Sequence, residues 1–290
     1  MQCTSPVSIR PPSSRRGFFV LVRCGQCTSC RLERSRQWAV RCVHEASLHR
    51  MSSFVTLTYG EELSSRSLEY RDFQLFCKKA RRKLGPFRFF MAGEYGEKNW
   101  RPHFHAAMFG VHFGDRTPWR KSPAGFQMYR SETLESLWTH GNSEIGDVTF
   151  ESAAYIARYV CKKVTGDEAK PIREDGTPGH YVDFDPVTGQ WAELRPEFCR
   201  SSLRPGVGAD WFERYRSDVF PYDRCVVRGS EQRPPRYYMK LLKKELPLMA
   251  AKVREDRLRL VDEVEVERGP SLASRDAVAK ARLALRSRKL

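Results

Sequence analysis

Residues 87–96, FRFFMAGEYG, and 103–110, HFHAAMFG, are two apolar, aromatic-rich runs with no helical period, separated only by the segment from Gly96 to Pro102. Runs of this length bounded by glycine and proline read as strands, and so short a connection makes them antiparallel neighbours. A chain carrying this hairpin is committed to an antiparallel sheet. Side chains alternate across a strand, so His103 and His105 share one face while Phe104 points to the other. Pairing also brings Glu94, at the end of the first run, toward both histidines, with Glu97 in the loop as a second candidate. A carboxylate and two imidazoles with open positions suit Mg²⁺ or Mn²⁺ with a phosphate bound, or Zn²⁺. The bland alternative is a pair of satisfied histidines capping a hairpin.

The flanking sequence supplies the rest of an α+β plan. SFVTLTY, 53–59, reads as a strand from its β-branched and aromatic content. SLEYRDFQLFCKKARRKL predicts a helix of about five turns, with Phe73, Phe76 or Cys77, Ala80 and Leu84 as its buried stripe and Gly85-Pro86 as its stop. SETLESLWTHG predicts a short helix closed by Gly141, IGDVTF a further strand, and AAYIARYVCKKV a helix opened by Glu151 or Ser152 and ended by Gly166. Strand, helix, strand, strand, helix, strand, helix is a ferredoxin-like order, an antiparallel sheet with flanking helices. Upstream, RLERSRQWAVRCVHEASLH is a basic amphipathic helix behind an irregular arm, residues 1–23. Residues 166–208 carry turn signals and little regular structure is expected there; a helical segment follows RPPRYY to about Arg268, and the last stretch is basic and weakly amphipathic. The expected division is 1–50 for the arm, cysteine cluster and basic helix, 51–225 for the core, and 226–290 for a basic helical segment.

Charge and cysteine usage narrow the partners. Lys and Arg number 51 against 35 Asp and Glu, a formal charge of +16 that favours a polyanion, with nucleic acid as the default. No run approaches the roughly 20 apolar residues of a membrane span, so the expectation is a soluble protein with no membrane partner. Nine cysteines and no export signal point to a reduced cytoplasm rather than a disulfide framework. Cys24, Cys27 and Cys30 stand in CGQCTSC, whose paired two-residue gaps let thiolates converge on a structural Zn²⁺. A fourth ligand is open between Cys3, Cys42 and His44, and small buried residues at a helix start are the alternative.

The helix AAYIARYVCKKV places Tyr155 and Tyr159 four apart on one side, with Lys162 three residues later. An aromatic core stripe would account for the tyrosines, but Ile156, Ala157 and Val160 already offer an apolar face. A phenol, with a pKa of about 10, is a poor nucleophile unless something helps remove its proton. A nearby metal and a lysine would do so.

Three stretches together resemble a known family. RPHFHAAMFG resembles the His-hydrophobic-His motif of the HUH endonucleases, FVTLTY the strand motif that precedes it in rolling-circle initiators, and YIARYVCKK their paired-tyrosine motif. With CGQCTSCRLERSRQWAVRCVHEA and RSSLRPGVGADWF, the whole chain is similar to the replication initiators of the Microviridae, nearest the gokushovirus branch. The resemblance implies a five-stranded antiparallel sheet with flanking helices. It implies metal-dependent nicking and rejoining of single-stranded origin DNA through a 5′-phosphotyrosine. It assigns Tyr159, paired with Lys162, as nucleophile, Tyr155 as the second tyrosine, and Glu94 as the third ligand beside His103 and His105. The chain has no GxxxxGK[ST] loop, so unwinding falls to a host helicase and extension to a polymerase.

For DNA contact the expected residues are Arg101, Arg158, Lys163, Arg200 and Arg204, with Lys78, Lys79, Arg81, Arg82 and Lys83 as either a phosphate-binding or a solvated face. Trp100 and Trp211 are candidates for base stacking, and Trp211 equally for a core. A transposase or relaxase of the same chemistry is the rival enzyme, although relaxases cluster three histidines and such transposases carry one tyrosine. A non-catalytic, zinc-containing DNA-binding or packaging protein is the rival of another class; it explains the charge and the cysteines but gives the Glu, His and Tyr groups no task. A cupin-like site would need a further glutamate and histidine at barrel spacing, and none fits.

Overall fold

The computed structural model describes residues 3–10, 19–61, 67–96, 100–184, 188–263 and 271–287, without the side chains of 160–162, 260–263 and 286–287. Val7–Ile9 (β1) and Val20–Val22 (β2) pair antiparallel where an irregular arm was expected; both strands are largely exposed, so no buried face marks them in the sequence. Helix α1 spans Thr28–Ala46 and strand β3 Ser52–Tyr59. Helix α2, Tyr70–Leu84, starts three residues later than its pattern predicts and stops at Gly85, which has a φ of 87°. The predicted hairpin follows as β4 (Arg88–Tyr95) and β5 (Pro102–Phe109). Then come β6 (Thr117–Lys121), β7 (Gln127–Arg130), α3 (Glu132–Leu137), β8 (Gly141–Asp147) and α4 (Phe150–Lys162). β9 (Val182–Phe184), β10 (Trp191–Glu193) and β11 (Phe198–Ser201) occupy the stretch expected to hold little regular structure. The chain ends through α5 (Ala209–Val219), β12 (Cys225–Val227), β13 (Ser230–Gln232), α6 (Arg236–Glu245), α7 (Pro247–Glu263) and α8 (Leu272–Ser287). Two units form: Cys42–Val207, and Met1–Arg41 together with Gly208–Leu290.

The larger unit is built on a seven-stranded antiparallel sheet in the order β11-β4-β5-β3-β8-β7-β6. β4 and β5 sit inside it because both are buried nearly throughout, and a strand with two apolar faces has to be covered on both. On one face α2 lays down Phe73, Phe76, Cys77 and Ala80; Phe104, Leu57, Met91 and Trp138 join them in one core. The Trp138 indole N–H donates to the Thr58 carbonyl at 3.1 Å, so the ring is buried without a lost hydrogen bond. On the other face α4 crosses β4, β5 and β11. The sheet thus separates a helix layer that only stabilises from one that faces the histidines.

Three boundaries differ from the sequence reading. The short helix ends at Leu137, and Gly141 opens β8 instead of closing the helix. The fourth predicted strand is Gly141–Asp147, not 145–150, because Thr149 and Phe150 belong to α4. Neither Glu151 nor Ser152 starts that helix. Thr149 is the N-cap, its hydroxyl accepting from the Ser152 N–H at 3.1 Å while the Ser152 hydroxyl accepts from the Thr149 N–H at 2.8 Å. The helix ends at Lys162, with Gly166 already beyond it.

In the smaller unit α5, the residue that follows it and α6 meet through rings: Trp211 stacks on Tyr238 at 5.8 Å, and Phe212 lies 5.4 Å from Tyr238 and 6.3 Å from Phe220. Trp211 is therefore a packing residue. The single helix expected after RPPRYY is broken at Leu246-Pro247, where proline starts a new helix better than it continues one. Its expected extension to Arg268 falls partly outside the described residues. Among the described residues no helix is long and apolar enough to cross a membrane.

Candidate metal and tyrosine site

Strand register assembles the first half of the site. Glu94 on β4 pairs directly with His103 on β5, and Ala92 pairs with His105, so the three side chains leave the sheet on one face. Phe104, between the histidines, is fully buried on the other. Glu94 Oε1 lies 2.6 Å from His103 Nε2 and 3.1 Å from His105 Nε2. Both Nδ1 atoms are engaged elsewhere, that of His103 with the Arg101 carbonyl at 3.0 Å and that of His105 with the Thr56 hydroxyl at 3.0 Å. A carbonyl only accepts, so His103 keeps a proton on Nδ1, and an ion that displaces any proton from Nε2 meets a lone pair already aimed at it. Glu94 is buried, which disfavours its charge, but hydrogen bonds and charge from the two histidines outweigh burial and hold its carboxyl at about 2. It is an anion at neutral pH.

The donor set fits a divalent ion. The three ligand atoms lie within 4.8 Å of one another. Metal bonds of about 2.1 Å at right angles place adjacent ligand atoms about 3.0 Å apart. The 3.1 Å separation matches that edge, and the 2.6 Å one has to open by a few tenths of an ångström. Glu97, the fallback ligand, lies outside the described residues.

Helix α4 supplies the second half. The Tyr159 ring stacks on His105 at 5.3 Å between centroids and the Tyr155 ring meets it edge-on at 5.0 Å; the two phenols are 4.9 Å apart. Ala153, Ile156 and Ala157 anchor the helix as the apolar face expected of it. Tyr159 is buried and Tyr155 partly so. Burial first, then the Glu94 charge and Tyr155, push the Tyr159 phenol well above its ordinary pKa. Its deprotonation needs a cation nearby, and the Arg158 guanidinium lies 5.9 Å over the Tyr155 ring. The Lys162 side chain lies outside what is described; Lys163 follows at the exposed helix end.

The remaining predicted contacts scatter. Arg101 pairs with Glu61 beside the hairpin. Trp100, with a φ of 49°, sits next to it, its ring 5.5 Å from Tyr95 and 4.9 Å from His180. Arg200 lies opposite Met91, on the α2 face, its guanidinium 5.7 Å over Tyr70, so the sheet separates it from the histidines. Arg204 is in an exposed turn near Arg88, whose guanidinium donates to the Pro205 carbonyl. At about 3.3 Å per residue that is roughly 20 Å along β4 from Glu94. The basic residues of α2 are exposed on the same far layer. Sequence reasoning missed Thr56; its role depends on β3 pairing with β5 so that Thr56 faces His105, which FVTLTY alone does not reveal.

The cysteines also come together. Cys3, Cys24, Cys27 and Cys30 place their sulfurs within 4.8 Å of one another, and all eight described cysteines are free thiols.

Comparison with known proteins agrees with this geometry. A family model for replication-associated proteins of the ORF2 type matches residues 52–164, the span from β3 to just past α4. The chain is similar to "Replication-associated protein VP4" of Bdellovibrio phage phiMH2K, 34% identical over 235 residues covering 77% of this chain and 68% of the relative. It is similar to "Replication-associated protein ORF2" of Spiroplasma virus 4, 27% identical with 77% and 68% covered, and to "Replication-associated protein ORF4" of Chlamydia phage 1, 28% identical with 78% and 55% covered. No solved structure matches the chain.

Proposed function

We propose a function from one premise: this chain belongs to the family of phage replication-associated proteins found in the Microviridae. In our reading it initiates rolling-circle replication in the cytoplasm of the bacterial host, nicking and rejoining single-stranded origin DNA through a 5′-phosphotyrosine. One observation carries this reading: both α4 phenols lie against the ring of His105, whose Nε2 converges with that of His103 on Glu94. A structural aromatic stripe would have no reason to converge on a ligand set.

Glu94, His103 and His105 would hold Mg²⁺ or Mn²⁺, which when bound supplies Lewis-acid polarisation of the scissile phosphate. Every other part of the step falls to the chain. Tyr159 attacks phosphorus through its phenolic oxygen, the bond to the 3′-oxygen breaks, and a free 3′-OH leaves for a host polymerase to extend. The diester energy stays in the phosphotyrosine, so strand transfer consumes no nucleotide triphosphate. After one round Tyr155 attacks the regenerated junction, and the released 3′-OH displaces Tyr159 from the first strand to close a circle. Arg158, Lys162 and Lys163 offset charge on the phosphate and leaving oxygen, and Arg101 holds the backbone entering past the hairpin. A host helicase unwinds the duplex.

The test uses labelled single-stranded oligonucleotides tiled across the phage genome, with Mn²⁺, scoring a covalent protein-DNA adduct on a denaturing gel. One tile should give an adduct that the Tyr155→Phe/Tyr159→Phe protein cannot form. An undiminished adduct in that variant rejects the mechanism. His103→Ala/His105→Ala should abolish the adduct and keep salt-sensitive DNA binding; that outcome also separates this reading from a non-catalytic DNA-binding protein.

A further inference from the structure

The cysteine cluster stands apart from the tyrosine chemistry and is not used by it. We propose that Cys3, Cys24, Cys27 and Cys30 form a structural tetrathiolate zinc site that fastens the start of the chain to the head of α1.

The sulfur spacing is the first support. Cys3 Sγ lies 3.6 Å from Cys24 Sγ and 3.8 Å from Cys27 Sγ. Four sulfurs at about 2.3 Å from a tetrahedral zinc stand about 3.8 Å from one another, whereas a disulfide needs about 2.05 Å. Backbone geometry is the second. The N–H groups of Gln26 and Cys27 point at Cys24 Sγ, at 3.4 and 3.3 Å, and the Cys24 N–H points at Cys3 Sγ at 3.4 Å. Gly25, with a φ of 77°, allows the tight turn that aims them. Donors gathered on sulfur stabilise thiolate rather than thiol, and thiolate is the form that binds a metal. Four thiolates on one Zn²⁺ leave a net charge of −2. Cys27 and Cys30 flank the start of α1, whose N-terminus carries partial positive charge, and the Arg23 side chain hydrogen-bonds Cys30.

The fourth ligand, open in the sequence, is thereby assigned to Cys3. Cys42 and His44 are twelve and fourteen residues beyond Cys30 on α1, about 18 Å or more along the helix at 1.5 Å per residue. They cannot share an ion with it. Cys3 precedes Cys24 by 21 residues, so the site closes a loop that includes the β1–β2 ribbon. Thr4, the next residue, donates to Asp276 on α8 at 2.8 Å, so the same clamp also steadies a contact to the last helix. A two-stranded ribbon is marginal on its own, and a metal staple gives it a fixed end.

Full-length protein expressed with zinc and purified without chelator should contain one zinc per chain by elemental analysis. X-ray absorption at the zinc edge should give a sulfur-only shell, a readout on the native chain that needs no variant to fold. Cys3→Ser should lose the zinc, while Cys42→Ser and His103→Ala/His105→Ala should retain it. Substoichiometric zinc, iron in its place, a shell of mixed sulfur and nitrogen, or zinc lost with the histidines instead of Cys3 would each overturn the assignment. None of these outcomes bears on adduct formation, so failure here and failure of the nicking mechanism are separable.

Discussion

Thr56 is the residue through which β3 acts on the site. Its hydroxyl meets Nδ1 of His105 at 3.0 Å, fixing the ring plane that stacks on Tyr159 and turning Nε2 toward Glu94. Partners of this kind typically govern metal affinity by 10- to 100-fold. Thr56→Val keeps the shape and removes the partner, so Mn²⁺ affinity measured by calorimetry should fall by about that factor, with Thr56→Ser restoring most of it; unchanged affinity in the valine variant would show that His105 needs no orientation from β3. At this scale much of the site was legible. Period-two alternation paired His103 with His105, and hairpin pairing brought in Glu94, because both follow from local geometry. Thr56 and Cys3 were not legible in their roles, since one depends on a non-local strand register and the other on a chain excursion of 21 residues.

Elements with a buried face were the ones the sequence announced. β3, β4, β5 and α2 carry continuous or periodic apolar patterns because the core demands them. β6, TPWRK, is exposed at every position, and β11 is four residues long at the sheet edge, so neither leaves a hydrophobic pattern to detect. Gly141 was legible as a breaker but not as the start of β8. A Cβ there would lie 2.3 Å from the Gly60 nitrogen and 2.4 Å from the Thr58 carbonyl oxygen, at a φ of 149°. Backbone has little room to yield, so Gly141→Ala should cost at least about 2 kcal/mol by denaturant unfolding, and a loss below a few tenths would place the β3–β8 approach in error. The α4 cap makes a milder test with a functional consequence. Thr149→Ala removes one half of the reciprocal pair with Ser152 and should destabilise by about 1 kcal/mol, fraying the helix that holds both tyrosines.

For the molecule as a whole, charge and burial set how stability and binding respond to solution conditions. A net charge of +16 makes nucleic-acid affinity fall steeply with salt, and since His103 and His105 add no formal charge at neutral pH, the log-log salt slope should be the same in the His103→Ala/His105→Ala protein. Acid sensitivity has a different source. His44 is buried on α1, and burial lowers its pKa from 6.5 to about 3. Between those values the unfolded chain binds a proton that the folded chain does not, so stability rises with pH through this window and levels off above 6.5. The slope reaches about 1.4 kcal/mol per pH unit, so lowering the pH from 7 to 5 should remove about 2 kcal/mol through this group alone, before most carboxylates begin to titrate. His44→Leu takes the proton acceptor away without opening a large cavity. Urea unfolding of the two proteins at pH 7, 6 and 5 should therefore show wild type losing stability more steeply, the difference between them growing by about 2 kcal/mol across the range. Groups common to both proteins cancel in that difference. Parallel pH profiles would mean that His44 is protonated in the fold, and that α1 is held by a charge rather than by an apolar seat.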